Sequence, residues 1–185
     1  NNGTITRGTF QNGYIVKNND TISGGTFQNG CSVENKGTIN GNGTFEGTVE
    51  NNGIISDGTF KGGVINYKTI SGGTFQNTCS VENHGTINGN GIFAGIVTNN
   101  NTISGGTFQS TSNVINANDG TISDGTFAGR VINHNTISGG AFQNGCSVTN
   151  YGTINGNGIF NGEVSNNAAT ATIESGTFNG KVSNN

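Results

Sequence analysis

Every Phe in this chain has a Gly two residues before it, and there are eleven such pairs, with Phe at 10, 27, 45, 60, 75, 93, 108, 127, 142, 160 and 178. Five or six residues before each Phe stands an Ile, from Ile5 to Ile173. Four or six residues after it comes a Val-x-Asn, from Val16-Lys17-Asn18 to Val182-Ser183-Asn184. A unit that repeats like this is one supersecondary element, able to bury its apolar side only against copies of itself. Around each landmark the order is polar, apolar, polar, as in Thr-Ile-Ser and Thr-Phe-Gln, the period of a strand with one buried face. Gly-Gly, Asn-Gly and Asp-Gly pairs lie between the landmarks and supply positive φ at corners. No 3.6-residue period occurs, so no helix is expected. Three short strands per unit, all running one way, predict an all-β parallel β-solenoid of about eleven rungs of 15–19 residues, a single domain over 1–185. Such a rod is roughly 50 Å long. The steps between landmarks are uneven, unlike the uniform step of a left-handed hexapeptide coil, and predict a right-handed one.

Composition raises one rival. Hydrophobic content is only 29%, with 34 Gly, a range in which chains are often disordered. The apolar residues recur in register, however, and charge is sparse, 9% of residues with a net −3, so neither charge nor Pro keeps the chain open. Low apolar content suits a thin core to which each rung gives three or four inward side chains. The absence of a basic patch argues against nucleic acid. No run of 18 apolar residues is present, so no membrane insertion is expected. Cys31, Cys79 and Cys146 each follow a Phe by four residues and lie several rungs apart. That is too far for a disulfide, and they are expected as small buried hydrophobes.

The columns of the stack then acquire meaning. Ile, Phe and Val form inward ladders, Phe over Phe as an offset aromatic stack at ~4.8 Å. The Gly before each Thr-Phe implies that a Cβ there meets a corner or the rung above. The Asn two residues past each Val also points inward, where a polar side chain needs partners, and stacked Asn side chains can bond one another. The series from Asn18 through Asn35, Asn51 and onward to Asn184 resembles the asparagine ladder of parallel β-helix proteins. The Gly-Thr-Ile and Gly-Gly-Thr-Phe phrasing is similar to repetitive segments of large bacterial surface proteins and adhesins.

That resemblance implies an extracellular or cell-surface structural role. Some parallel β-helices cleave polysaccharides, but catalysis needs several groups at one point, and an even repeat spreads them out. Glu34 and Glu50 share a column in adjacent rungs, with no cation or long loop expected beside them. His84 and His134 fall at exposed corners three rungs apart. Corners carry Asn and Gly rather than repeated Asp, so no calcium, other metal or cofactor is expected.

One outward column stands out. Before the Ile residues come Thr4, Thr21, Thr38, Thr69, Thr86, Thr102, Thr121, Thr136, Thr153 and Thr172, interrupted by Ile54. Two residues later stand Ser or Asn in most rungs, with Thr6 first and Glu174 last. This face resembles the Thr-x-Thr arrays of ice-binding solenoids, although Thr is also a good strand former. The expectation is a structural or adhesive rod, not an enzyme: a stalk, fibre or filament segment outside a cell. Ice binding through the Thr column is the alternative, and a glycan-binding or glycan-cleaving β-helix the third. Both ends break off within the pattern, so the array is expected to continue or copies to associate end to end.

Overall fold

The structure, a computed structural model, describes residues 1–185. It has no helix and 31 strands, all pairing in parallel with the equivalent segment of the neighbouring rung. Eleven rungs, counted here by their Phe, stack into the expected β-solenoid. The Val-x-Asn segments form one eleven-stranded sheet, from Ile15–Asn18 to Val182–Asn184. The Ile and Phe segments form a second sheet of 20 strands. Register is kept throughout: Ile5 lies over Ile22, Phe10 over Phe27, Val16 over Val33.

Three strands per rung hold for nine rungs. In rungs 7 and 8 the first two merge into single strands, Thr102–Phe108 and Thr121–Phe127, pairing through an irregularity that sets Ser104 against Asp124. The interior is one apolar cluster of 31 buried residues, almost wholly Ile, Phe and Val, with the three cysteines among them. Successive Phe rings sit 4.4 to 4.8 Å apart, within 5° to 12° of parallel, in one stack from Phe10 to Phe178. Nine of these rings are almost fully buried, and each contributes about 1.5–3 kcal/mol through desolvation.

The glycine ahead of each Phe answers both to the neighbouring rung and to its own: at Gly73 a Cβ would lie 3.2 Å from the Phe60 ring and 3.3 Å from Gly58 O of the preceding rung. At Gly58 the backbone has φ of +114°, which a side chain resists. In the rungs with an extra residue, such as that of Gly43, a Cβ would lie 2.9 Å from the ring of its own Phe45.

Polar groups inside are satisfied by one device. From Asn18 to Asn166 the inward Asn residues are buried, and each donates Nδ2–H to Oδ1 of the Asn in the next rung, at 2.7 to 3.0 Å. The same amide also reaches backbone carbonyls around its corner; Asn51 Nδ2 donates to Gly53 O at 3.1 Å and to Thr69 O at 3.0 Å. The ladder begins one step earlier than the Val-x-Asn motif indicates, since Asn1 Nδ2 donates to Asn18 Oδ1 at 3.0 Å.

Candidate functional site

The outward threonines follow from strand alternation. With Ile buried, the residue before it faces out, and parallel pairing stacks Thr4 on Thr21, Thr21 on Thr38 and Thr69 on Thr86. Ile54 takes that place in rung 4, between Thr38 and Thr69. From Thr69 through Thr86, Thr102, Thr121, Thr136 and Thr153 to Thr172 the column is unbroken.

Their hydroxyls are not equivalent. Thr21, Thr102 and Thr136 donate to side-chain oxygens of the preceding Asp20, Asn101 and Asn135, at 3.2, 3.1 and 3.4 Å. Thr172 donates to Thr153 at 3.1 Å. The hydroxyls of Thr4, Thr38, Thr69, Thr86 and Thr121 bond nothing in the chain. They reach solvent, because the only buried polar side-chain atoms without a partner are Ser112 Oγ and Asn113 Oδ1.

The second column of this face is tied to the backbone in a way its sequence does not indicate. Ser23, Ser56, Ser71, Ser123 and Ser138 donate their hydroxyls to the Ile carbonyl of the preceding rung, in long bonds of 3.3 to 3.5 Å. The Thr column and the Ser column therefore do not present equivalent hydroxyls. A second set of threonines, ahead of Phe, runs unbroken from Thr9 through Thr26, Thr44 and Thr59 to Thr74, also with hydroxyls free of the chain.

The outer face of the Val-x-Asn sheet is where the structure departs most from expectation. Glu34 and Glu50 are adjacent in register, but Lys17 lies beside them, its Nζ 3.3 Å from Glu34. The expectation of no cation beside them is therefore corrected, and without any long loop both acids line a groove of about 830 Å³ that runs along rungs 1 to 6. The groove passes over Gly63, whose backbone is unstrained and whose Cβ would meet nothing closer than Ser80 Oγ at 3.6 Å.

The remaining chemistry-bearing residues are dispersed. His84 and His134 are exposed at corners, stacked on Tyr67 and Tyr151 with ring centroids 5.4 and 5.1 Å apart. His84 also lies 2.8 Å from Glu82. Asp57 and Asp124 accept the following glycine's N–H at 2.8 and 2.7 Å, a corner role. The three thiols are buried and unpaired, and burial pushes Cys79 and Cys146 up to about 12, with Cys31 raised as well. No three His, Cys, Asp or Glu side chains come together.

Sequence reasoning missed Lys17, Gly63 and Asn1. Lys17 and Glu34 share a strand column 17 residues apart, so register alone could have shown that pair. Comparison with protein-family models, with curated proteins and with solved structures finds no match.

Proposed function

We propose that this β-solenoid is a rigid structural or adhesive element that works outside a cell, as a strut or stalk. The observation that carries the reading is the unbroken interior: the Phe stack and the Asn ladder run through all rungs, so no rung can bend without parting both. Uniform stacking of this kind gives stiffness along the axis and side faces that repeat every ~4.8 Å for weak multivalent contact. Force spectroscopy on the chain, held at rungs 1 and 11, tests it. A strut resists extension and then yields rung by rung; a chain that extends smoothly at low force rejects the reading.

Ice binding is the second reading, favoured by the partner-free hydroxyls of Thr38, Thr69, Thr86 and Thr121 in one column, interrupted by Ile54. Thermal hysteresis on the wild type and on Thr121→Lys decides it. Ice shaping lost in the variant supports the reading, and no shaping by the wild type removes it.

A further inference from the structure

The outer face of the eleven-stranded sheet has the make-up of a protein–protein interface. Its middle rungs hold isoleucines that a solvated strand face does not need: Ile65, Ile96, Ile115 and Ile132, with Ile96 50% and Ile65 38% exposed. Most of the charge lies toward the ends, with Lys17, Glu34 and Glu50 on one side and Arg130, Glu163 and Lys181 on the other, while Glu82 stands in rung 5 and Ile15, 62% exposed, in rung 1. An apolar centre inside a polar rim is how interfaces are composed. Two of the three cations are matched within the chain, Lys17 to Glu34 at 3.3 Å and Lys181 to Glu163 at 3.0 Å. Arg130 is exposed and forms no ion pair.

From these features we infer that two copies of this chain pair through that face, antiparallel, with rung 6 on the two-fold axis and Arg130 of each copy seated in the groove over Gly63 of the other. The register fixes itself from three coincidences. In an antiparallel pairing about rung 6, rung 8 lies over rung 4, which sets Arg130 against Gly63, the one residue of its outward column without a side chain. Glu50 and Glu82 stand in the neighbouring column one rung to either side of that notch, and supply the carboxylates that Arg130 lacks in its own chain. The same register lays Ile65 against Ile132 and Ile96 against its own copy.

Gly63 gains a purpose from this. Neither strain nor crowding requires glycine there, in contrast to Gly47, Gly62 and Gly95, whose added Cβ would lie within about 2 Å of backbone oxygen. The strip is also large enough. Eleven rungs at ~4.8 Å, four residues wide at ~3.3 Å each, cover roughly 700 Å², so a pair buries about 1,400 Å², the size of a stable interface. A second copy is favoured over an added strand, because the sheet's interior strands are already hydrogen-bonded on both edges and only side chains face outward.

The pairing does not depend on whether the rod is a strut or binds ice, and its test reads mass. Sedimentation velocity at about 100 μM, above the micromolar Kd that the weakest interfaces of this area have, is expected to give twice the 18.8 kDa of one chain. Ile96→Lys, which sets like charges against each other on the axis, and Arg130→Glu are each expected to weaken association about tenfold or more, while leaving intact the circular dichroism melt recorded at dilutions where the wild type is monomeric. Restoring the charge pair in one chain, Arg130→Glu with Glu50→Arg, is expected to recover the dimer. Orientation is read by cross-linking, since the native thiols are buried. Because facing sheets lie ~10 Å apart, beyond the reach of a disulfide, a short bis-maleimide should join Ile96→Cys to its own copy, and Glu34→Cys to Ser165→Cys but not to itself. A monomer at this concentration overturns the proposal. So does a dimer indifferent to Ile96 and Arg130, or one in which Glu34→Cys links to its own copy.

Discussion

Two corners of the same rung follow opposite rules. Past Val-x-Asn, the corner is organised by a hydrogen-bonded column. It keeps its geometry even where the loop expands, as at Asn116 and Asn166, whose amides reach Gly120 O and Ala171 O at 3.0 Å across longer turns. Past Phe, no side-chain ladder exists. Long corners place Cys31, Cys79, Ser112 or Cys146 inward, and the short corner of the next rung tucks Gly47, Gly95, Gly129 or Gly162 against that residue's carbonyl. Directional bonds hold one corner constant; steric fit lets the other alternate in length. Continuity of the column therefore matters at the first, and pairing of sizes between neighbours at the second.

Breaking the ladder should cost most. Asn99→Ala removes the donor to Asn116 Oδ1 at 2.8 Å and leaves a buried void beside it. A stranded buried acceptor plus a cavity is expected to lower stability by about 2–4 kcal/mol. Asn184→Ala, at the exposed last step, should stay within about 0.5 kcal/mol. Urea titration of both variants checks this. Equal losses would show that the column is no more than a set of independent corner contacts.

At the other corner, Gly47→Ala tests fit. Its Cβ would come within 1.8 Å of Cys31 O, so the backbone must shift, at about 1–3 kcal/mol. Gly63→Ala, whose Cβ would make only an ordinary contact with Ser80 Oγ at 3.6 Å, should leave the melting temperature of the dilute chain nearly unchanged. A similar loss in both would mean that lost backbone freedom, and not crowding, sets the requirement for glycine.

The buried thiols give this corner a pH signature. Cys79 and Cys146 are raised from 9.0 to about 12 by burial. The folded chain holds these protons while the unfolded chain releases them, so the stability they contribute is full below pH 9 and is lost as pH rises toward 12. Melts of wild type and of Cys79→Ala/Cys146→Ala across that window isolate the effect, because lysines and tyrosines titrate in both. The variant's curve should fall less steeply.

Much of this was legible in the sequence because each rung repeats the same three apolar landmarks, and because an Asn two residues past an inward Val must also face in. The merged strands at Thr102–Phe108 and Thr121–Phe127 were not legible, since their Ile-to-Phe spacing of five residues is shared with rungs that keep two strands. The serine hydroxyls were not either: Thr-Ile-Ser alternation places Ser outward, and its bond back to the Ile carbonyl depends on the rise between rungs. Gly63 was hidden by the abundance of glycine, most of which answers to corners, and Lys17 by a partner one full rung away. Asn1 escaped because no Val precedes it.

The smallest effect tests the weakest point of the second corner. Ser112 occupies the inward place held by cysteine in rungs 2, 5 and 9, and its hydroxyl is buried with no partner. The corner was shaped for a group that asks for no hydrogen bond. A hydroxyl there carries its desolvation cost uncompensated, while a thiol behaves as a small hydrophobe. Ser112→Cys should therefore raise stability by about 1 kcal/mol, and Ser112→Ala by somewhat less, since it removes the hydroxyl but leaves a gap against Gly129. Denaturant midpoints at pH 7 measure both. If Ser112→Cys destabilises, the hydroxyl has a partner in solution, such as an enclosed water, and the two corners are then alike in relying on hydrogen bonds.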